Sequence, residues 1–221
     1  MQFNANHSSG EGLACDQNMT RLLTLMFALL LAGGCGRMLR HRVTSLPQET
    51  YVWQRVWTHE VKRAVQGTAI ESLHVLAAEL RFEQESAVDT AIVPDWEVLK
   101  GYSGNKGAVI RIHASAAKTR WKPDAVNALK LLLEETWRRF DAEGVGLAEV
   151  QIDYDCPESR LADYVALMRE LREEWPNPLK ITALPAWLVH SEARELLALS
   201  PGYVLQVHSL HLPRNGGCYS L

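Results

Sequence analysis

The stretch Val150-Gln151-Ile152-Asp153-Tyr154-Asp155-Cys156-Pro157 restricts the fold more than any other part of the chain. Successive side chains of a β-strand point to opposite faces, so Val150, Ile152 and Tyr154 share one side while Gln151, Asp153 and Asp155 share the other. A buried, unpaired carboxylate costs several kcal/mol, which requires the acidic side to face a wet cavity, a cation or a ligand. The same alternation recurs elsewhere: Arg111 and His113 oppose Ile110 and Ile112, and Gln206 and His208 oppose Leu205 and Val207. Several strands with one apolar and one hydrogen-bonding face suit the interior and mouth of a (β/α)₈ barrel, where functional groups gather at the C-terminal ends of the strands. An open doubly wound sheet, apolar on both faces, fits less well.

Strand-like runs are expected at Tyr51–Trp57, Glu71–Glu79, Ala108–Ser115, Glu149–Asp155, Lys180–Leu184 and Tyr203–Leu210, six in all. Helical spacing lies between several of them. Val126, Leu129, Leu133, Trp137 and Phe140 fall on one face from Asp124 to Asp141, with Pro123 at the start and Gly144 past the end. Leu161, Tyr164, Val165, Met168 and Leu171 do the same from Glu158 to Trp175, and a shorter helix is expected from Ser191 to Leu199. Strands alternating with helices imply parallel βα units. Counting from Tyr51, about 170 residues remain, fewer than the roughly 200 of a closed eight-stranded barrel, so the expectation is a partial (β/α)₈ TIM-type barrel of about six parallel strands, truncated at the C-terminus.

The N-terminal region reads as an address. Arg21 precedes the apolar run Leu22 to Ala32, which ends in Gly33-Gly34-Cys35, the order of a secretory signal. The run is too short to span a bilayer. Leu31-Ala32-Gly33-Gly34-Cys35 resembles the bacterial lipobox, with Ala32 where Leu is usual. The expected organisation is an upstream extension at 1–18, a lipoprotein signal peptide at 19–35 with Cys35 lipidated, a tether at 36–50, the barrel portion at 51–211 and an irregular tail at 212–221. The protein is then exported and held to the cell envelope through the lipid on Cys35. A plain signal peptide with an incidental cysteine is the alternative. With Cys15 and Cys35 set aside, Cys156 and Cys218 remain in an oxidising compartment, where a pairing between them is open. A net charge of -3 and a pI near 6.2 supply no cationic field for nucleic acid.

The chemistry centres on Asp153 and Asp155, the candidate catalytic pair. Residues i and i+2 of a strand lie about 6.6 Å apart and project in parallel. If crowding raises the pKa of one carboxyl, it can donate a proton while the other stays ionised, the division of labour that glycoside hydrolysis uses. The structural alternatives are a helix cap for Asp155 and a buried pair with Arg111 for Asp153. Gln151, Arg111, His113, Gln206 and His208 are candidate ligand contacts from the polar strand faces. Trp53 and Trp187 are candidate stacking platforms for sugar rings, with core packing the alternative for each. His113 and His208 could also join the aspartates around zinc or manganese. The leading reading needs no metal and no cofactor.

Four blocks of the sequence carry a resemblance. Tyr51-Val52-Trp53-Gln54-Arg55-Val56-Trp57, Gln151 to Ser159 with Leu161-Ala162-Asp163-Tyr164, Ile181-Thr182-Ala183-Leu184-Pro185-Ala186-Trp187-Leu188, and Leu205-Gln206-Val207-His208-Ser209-Leu210 are similar to the bacterial family catalogued as domain of unknown function 3142, over about Tyr51 to Leu210. This resemblance implies a secreted or lipid-anchored protein with a glycoside-hydrolase-like barrel, of which this chain looks like an N-terminal portion. More distantly, Asp153 and Asp155 resemble the last two aspartates of the Asp-x-x-Asp-x-Asp-x-Glu motif of family 18 chitinases. Pro157 stands where that motif has its acid, and Glu158 comes one residue later. The reading is a cell-envelope lipoprotein that binds or hydrolyses a glycan, a polysaccharide or peptidoglycan; the alternatives are a non-catalytic glycan-binding lipoprotein and a metal-dependent hydrolase.

Overall fold

Strand parity and helical period translate into alternating layers. The computed structural model describes residues 47–67, 70–83, 86–118 and 121–207. The extension, the signal segment with Cys35, most of the tether, Cys15, His208, Cys218 and the tail lie outside the described residues. In chain order the elements are β1 (Glu49–Val52), α1 (His59–Gln66), β2 (Ser72–Glu83), β3 (Ser86–Ala91), α2 (Trp96–Gly101), β4 (Asn105–Ile112), α3 (Pro123–Ala142), β5 (Glu149–Tyr154), α4 (Leu161–Glu174), β6 (Leu179–Ala183), α5 (Ser191–Leu199) and β7 (Tyr203–Leu205). Six strands pair in parallel in the order β1-β2-β4-β5-β6-β7. They form an α/β half-barrel of the TIM type.

Two expectations need correction. The first strand stops at Val52 instead of running to Trp57. A seventh strand, β3, pairs antiparallel with β2 from Ala78 to Glu83. Its sequence Ser-Ala-Val-Asp-Thr-Ala has no buried residue, so no hydrophobic alternation announces it. It covers the part of the β2 edge that lies beyond the short β1.

Helix α3 shows how local sequence sets an element. Pro123 occupies its first turn, and Val126, Leu129, Leu133 and Phe140 are buried. Gly144 adopts φ 70, Val145 N–H donates to Phe140 O at 2.9 Å and Gly144 N–H to Asp141 O at 2.9 Å, a Schellman closure. The apolar stripe packs on β2, β3 and β4, while α4 packs against α5. Each fully buried Leu, Ile or Val in these faces contributes about 1.5–3 kcal/mol.

The apolar strand faces meet these helices. Ala108, Ile110 and Ile112 of β4, Val150, Ile152 and Tyr154 of β5, and Leu179, Ile181 and Ala183 of β6 all belong to one buried core. An edge-to-face series of rings runs through it, Phe82 to Trp121, Tyr154, Tyr164 and Trp187, with centroids 5.1–6.1 Å apart. The strands' other face carries the polar groups.

Candidate functional site

Parallel register places the polar residues in tiers. Tyr51 of β1 aligns with His74 of β2, which aligns with Gly107 of β4 and in turn with Glu149 of β5. Four residues further along, two same-face steps up, Arg111 aligns with Asp153, and Thr182 of β6 with Val204 of β7. Arg111, Asp153 and Thr182 each stand one residue before their strand's C-terminal end, the end at which barrels carry their functional groups.

The lower tier is a polar cluster around Glu149. His74, 2% exposed, has Nε2 2.9 Å from Glu149 Oε1, and Lys180 Nζ lies 2.7 Å from Glu149 Oε2. Burial pulls the Glu149 carboxyl upward, but the contacts with His74 and Lys180 outweigh it and hold it below the usual carboxylate range. The Tyr51 ring stacks on His74 at 4.8 Å, and its hydroxyl donates to Gln151 Oε1 at 2.9 Å. Burial pushes the Tyr51 phenol up to about 12. The ring thus acts as a neutral spacer between the tiers.

Above it opens a cleft of about 470 Å³. Tyr51 and Trp53, stacked at 5.6 Å and 10°, form one wall; Arg111, Gln151 and Asp153 form the floor; Thr182, Val204, Gln206 and Val207 close the opposite side. Asp153 is 4% exposed. Its Oδ1 accepts from Thr182 Oγ1 at 3.0 Å and Gln206 Nε2 at 2.8 Å, and its Oδ2 lies 3.6 Å from Arg111 Nε. Burial raises the Asp153 pKa and the Asp155 charge adds to this, while Thr182, Arg111 and Gln206 oppose it; the net direction is upward. The site therefore holds a carboxyl with strengthened proton affinity, fixed by two donors.

Of the residues expected from the sequence, the cleft brings together Asp153, Gln151, Arg111, Gln206 and Trp53. Asp155 is not among its lining residues. Strand β5 ends at Tyr154, and Cys156 N–H donates back to Tyr154 O at 2.8 Å, so the chain turns at Asp155 and leaves that side chain exposed. The parallel projection expected from an i, i+2 strand pair is thereby lost. Asp155 caps no helix either: Pro157 and Arg160 hold the cap positions that follow. His113 lies past the end of β4, exposed, its Nδ1 3.4 Å from Ser115 N. Trp187 is 1% exposed and donates from Nε1 to Cys156 O at 2.9 Å inside the core, with no ring face toward the cleft. Glu158 pairs with His190 at 2.7 Å, away from the cleft lining. No group of three His, Cys, Asp or Glu side chains is placed to hold a metal ion among the described residues.

Sequence reasoning missed Tyr51, His74, Glu149 and Thr182. Thr182 was within reach, because it shares strand parity with Lys180 between the apolar Leu179, Ile181 and Ala183. His74 is a lone polar residue in an apolar run, a weak signal, and its partners are distant in sequence. Among the described residues no helix is long and apolar enough to cross a membrane.

The half-barrel is similar to the spore cortex-lytic enzyme SleL of Bacillus megaterium, with a TM-score of 0.55 at 10% identity over 75% of this chain and 42% of that one. A GH18 chitinase of Cycas revoluta, solved with (GlcNAc)4, aligns with a TM-score of 0.49 at 13% identity over 74% of this chain and 55% of that one. The chain thus spans less than half the length of SleL, and that likeness concerns the fold. No curated protein matches the sequence. Residues 105–219, from the start of β4 onward and over half of the chain, match a family described as a domain of unknown function, DUF3142. The Gln151, Ile181 and Leu205 blocks fall inside that match, whereas the Tyr51 block and the aromatic wall it supplies lie before it. The chain belongs to the DUF3142 family.

Proposed function

We propose that this protein binds a glycan in the cleft above Asp153, at the cell envelope, where a lipid on Cys35 anchors it to the membrane. The observation that carries the reading is a buried carboxyl held by Thr182 and Gln206 beside the stacked Tyr51 and Trp53. Sugars need this combination: an aromatic wall for their C–H faces and fixed polar groups for their hydroxyls. Resemblance in fold to a cortex-lytic enzyme is consistent with a polysaccharide or peptidoglycan ligand.

Most glycosidases place two carboxyls about 5–9.5 Å apart across the scissile bond; among the described residues the cleft lining carries one, Asp153. Hydrolysis is the second reading, supported by the raised Asp153 pKa and by the nearby charge of Asp155.

Calorimetry and reducing-end release on a panel of polysaccharides and peptidoglycan, with Asp153→Asn and Asp155→Asn beside the native protein, separate the two. Binding without release supports the lectin-like reading. Release abolished by either substitution supports hydrolysis, and absence of both activities removes the glycan reading. Palmitate labelling in cells, lost in Cys35→Ser, tests the anchor.

A further inference from the structure

The hydrogen-bond accounts of the cleft do not balance. Asp153 Oδ1 already accepts from Thr182 and Gln206, which commits the Thr182 hydroxyl proton and one of the two Gln206 amide protons. Gln151 is 0% exposed, its Oε1 is occupied by the Tyr51 hydroxyl, and among the described residues its Nε2 has no partner although Gln151 lines the cleft. A buried amide N–H without an acceptor is destabilising, and a bound acceptor would relieve it.

Arg111 adds to the surplus. Its guanidinium lies over the Trp53 ring at 5.5 Å and its side chain is 47% exposed. The contact with Asp153 runs from Nε at 3.6 Å, beyond hydrogen-bonding distance. Among the described residues its terminal amino groups have no hydrogen-bond partner, and Arg111 lines the cleft. A guanidinium lying over an aromatic ring is pre-oriented for two-pronged capture of a planar anion. By contrast Arg55, from the same end of the sheet, is already paired with Glu79.

Resting on the glycan-binding reading, we propose that the cleft selects a saccharide bearing a carboxylate, gripped by Arg111, while Gln151 Nε2 donates to a neighbouring oxygen of the same sugar. The carboxylate belongs either to a uronic acid or to the lactyl ether of a muramic acid. Both present the same planar anion next to a sugar ring.

The test uses two matched pairs with the full chain in calorimetry at neutral pH: trigalacturonate against its methyl ester, and N-acetylglucosaminyl-N-acetylmuramic acid against chitobiose. The acid of one pair is expected to bind at least tenfold tighter than its neutral mate, and that pair identifies the source of the carboxylate. In Arg111→Gln the preference is expected to fall below threefold, and Gln151→Met to weaken the acid several-fold, with near-ultraviolet circular dichroism verifying the fold. Neutral and acidic members binding equally, or a preference that survives Arg111→Gln, would overturn the inference and leave the glycan reading standing. No binding in any of the four overturns both.

Discussion

Replacing Gly107 with alanine puts a methyl carbon 2.3 Å from His74 Cδ2 and 2.7 Å from its Nε2. Ordinary contact needs more than 3.4 Å, so the imidazole must retreat by about 1 Å. It has little room to do so, since the ring is 2% exposed, stacked on Tyr51 and bonded to Glu149. Overpacking of this kind costs ~1–3 kcal/mol, and losing a hydrogen bond to a charged group costs ~1.5–3 kcal/mol. Together they predict a destabilisation of ~2.5–6 kcal/mol, a large share of a domain stability that is typically ~5–15 kcal/mol. Urea denaturation followed by circular dichroism measures it. His74→Ala removes the obstruction, so Gly107→Ala should cost far less in that background, with a coupling of ~2 kcal/mol or more in the double-mutant cycle. A loss under 1 kcal/mol in the native background, or purely additive effects, refutes the claim that Gly107 exists to seat His74.

Asp153 has a folded pKa raised chiefly by burial; the stability this gives is complete below the unfolded value near 3.9 and is lost as pH climbs through the raised folded one. Asp153→Asn keeps an acceptor for Thr182 and Gln206 without the charge, so its stability relative to the native protein should improve from pH 4 to pH 7. A pH-independent difference in urea midpoints would contradict the assignment. Trp187→Ala is expected to cost about 3–5 kcal/mol through its cavity while leaving ligand affinity per folded molecule unchanged; weaker binding by the folded fraction would return Trp187 to the site. Burial pushes the Cys156 thiol up to about 12, so under reducing conditions at pH 8 iodoacetamide should label it on the order of 100-fold more slowly in the folded protein than in urea. Equal rates by peptide mass spectrometry would show that the thiol is accessible.

Much of this architecture was legible in the chain because its causes are local. The period of two along a strand assigns Gln151 and Asp153 to one face and Val150, Ile152 and Tyr154 to the other whatever the strand pairs with. Likewise the stripe Val126, Leu129, Leu133 and Phe140, closed by Gly144, specifies α3 from within. Where a strand stops is decided by pairing with its neighbours, so Asp155 and His113, each just past a C-terminal end, could not be placed by parity. Strand β3 escaped for a related reason: it is held by ladder bonds to β2 and carries no buried side chain to mark it. Depth is likewise a collective property. Trp53 and Trp187 read alike in sequence, yet one borders the cleft and the other lies against Tyr164 in the core. The bond between Tyr51 and Gln151, a hundred residues apart, and the seating of His74 against Gly107 arise only when parallel register brings separate strands level. Side-chain direction follows from covalent geometry along a single strand, whereas burial and partnership depend on what the rest of the chain packs against it.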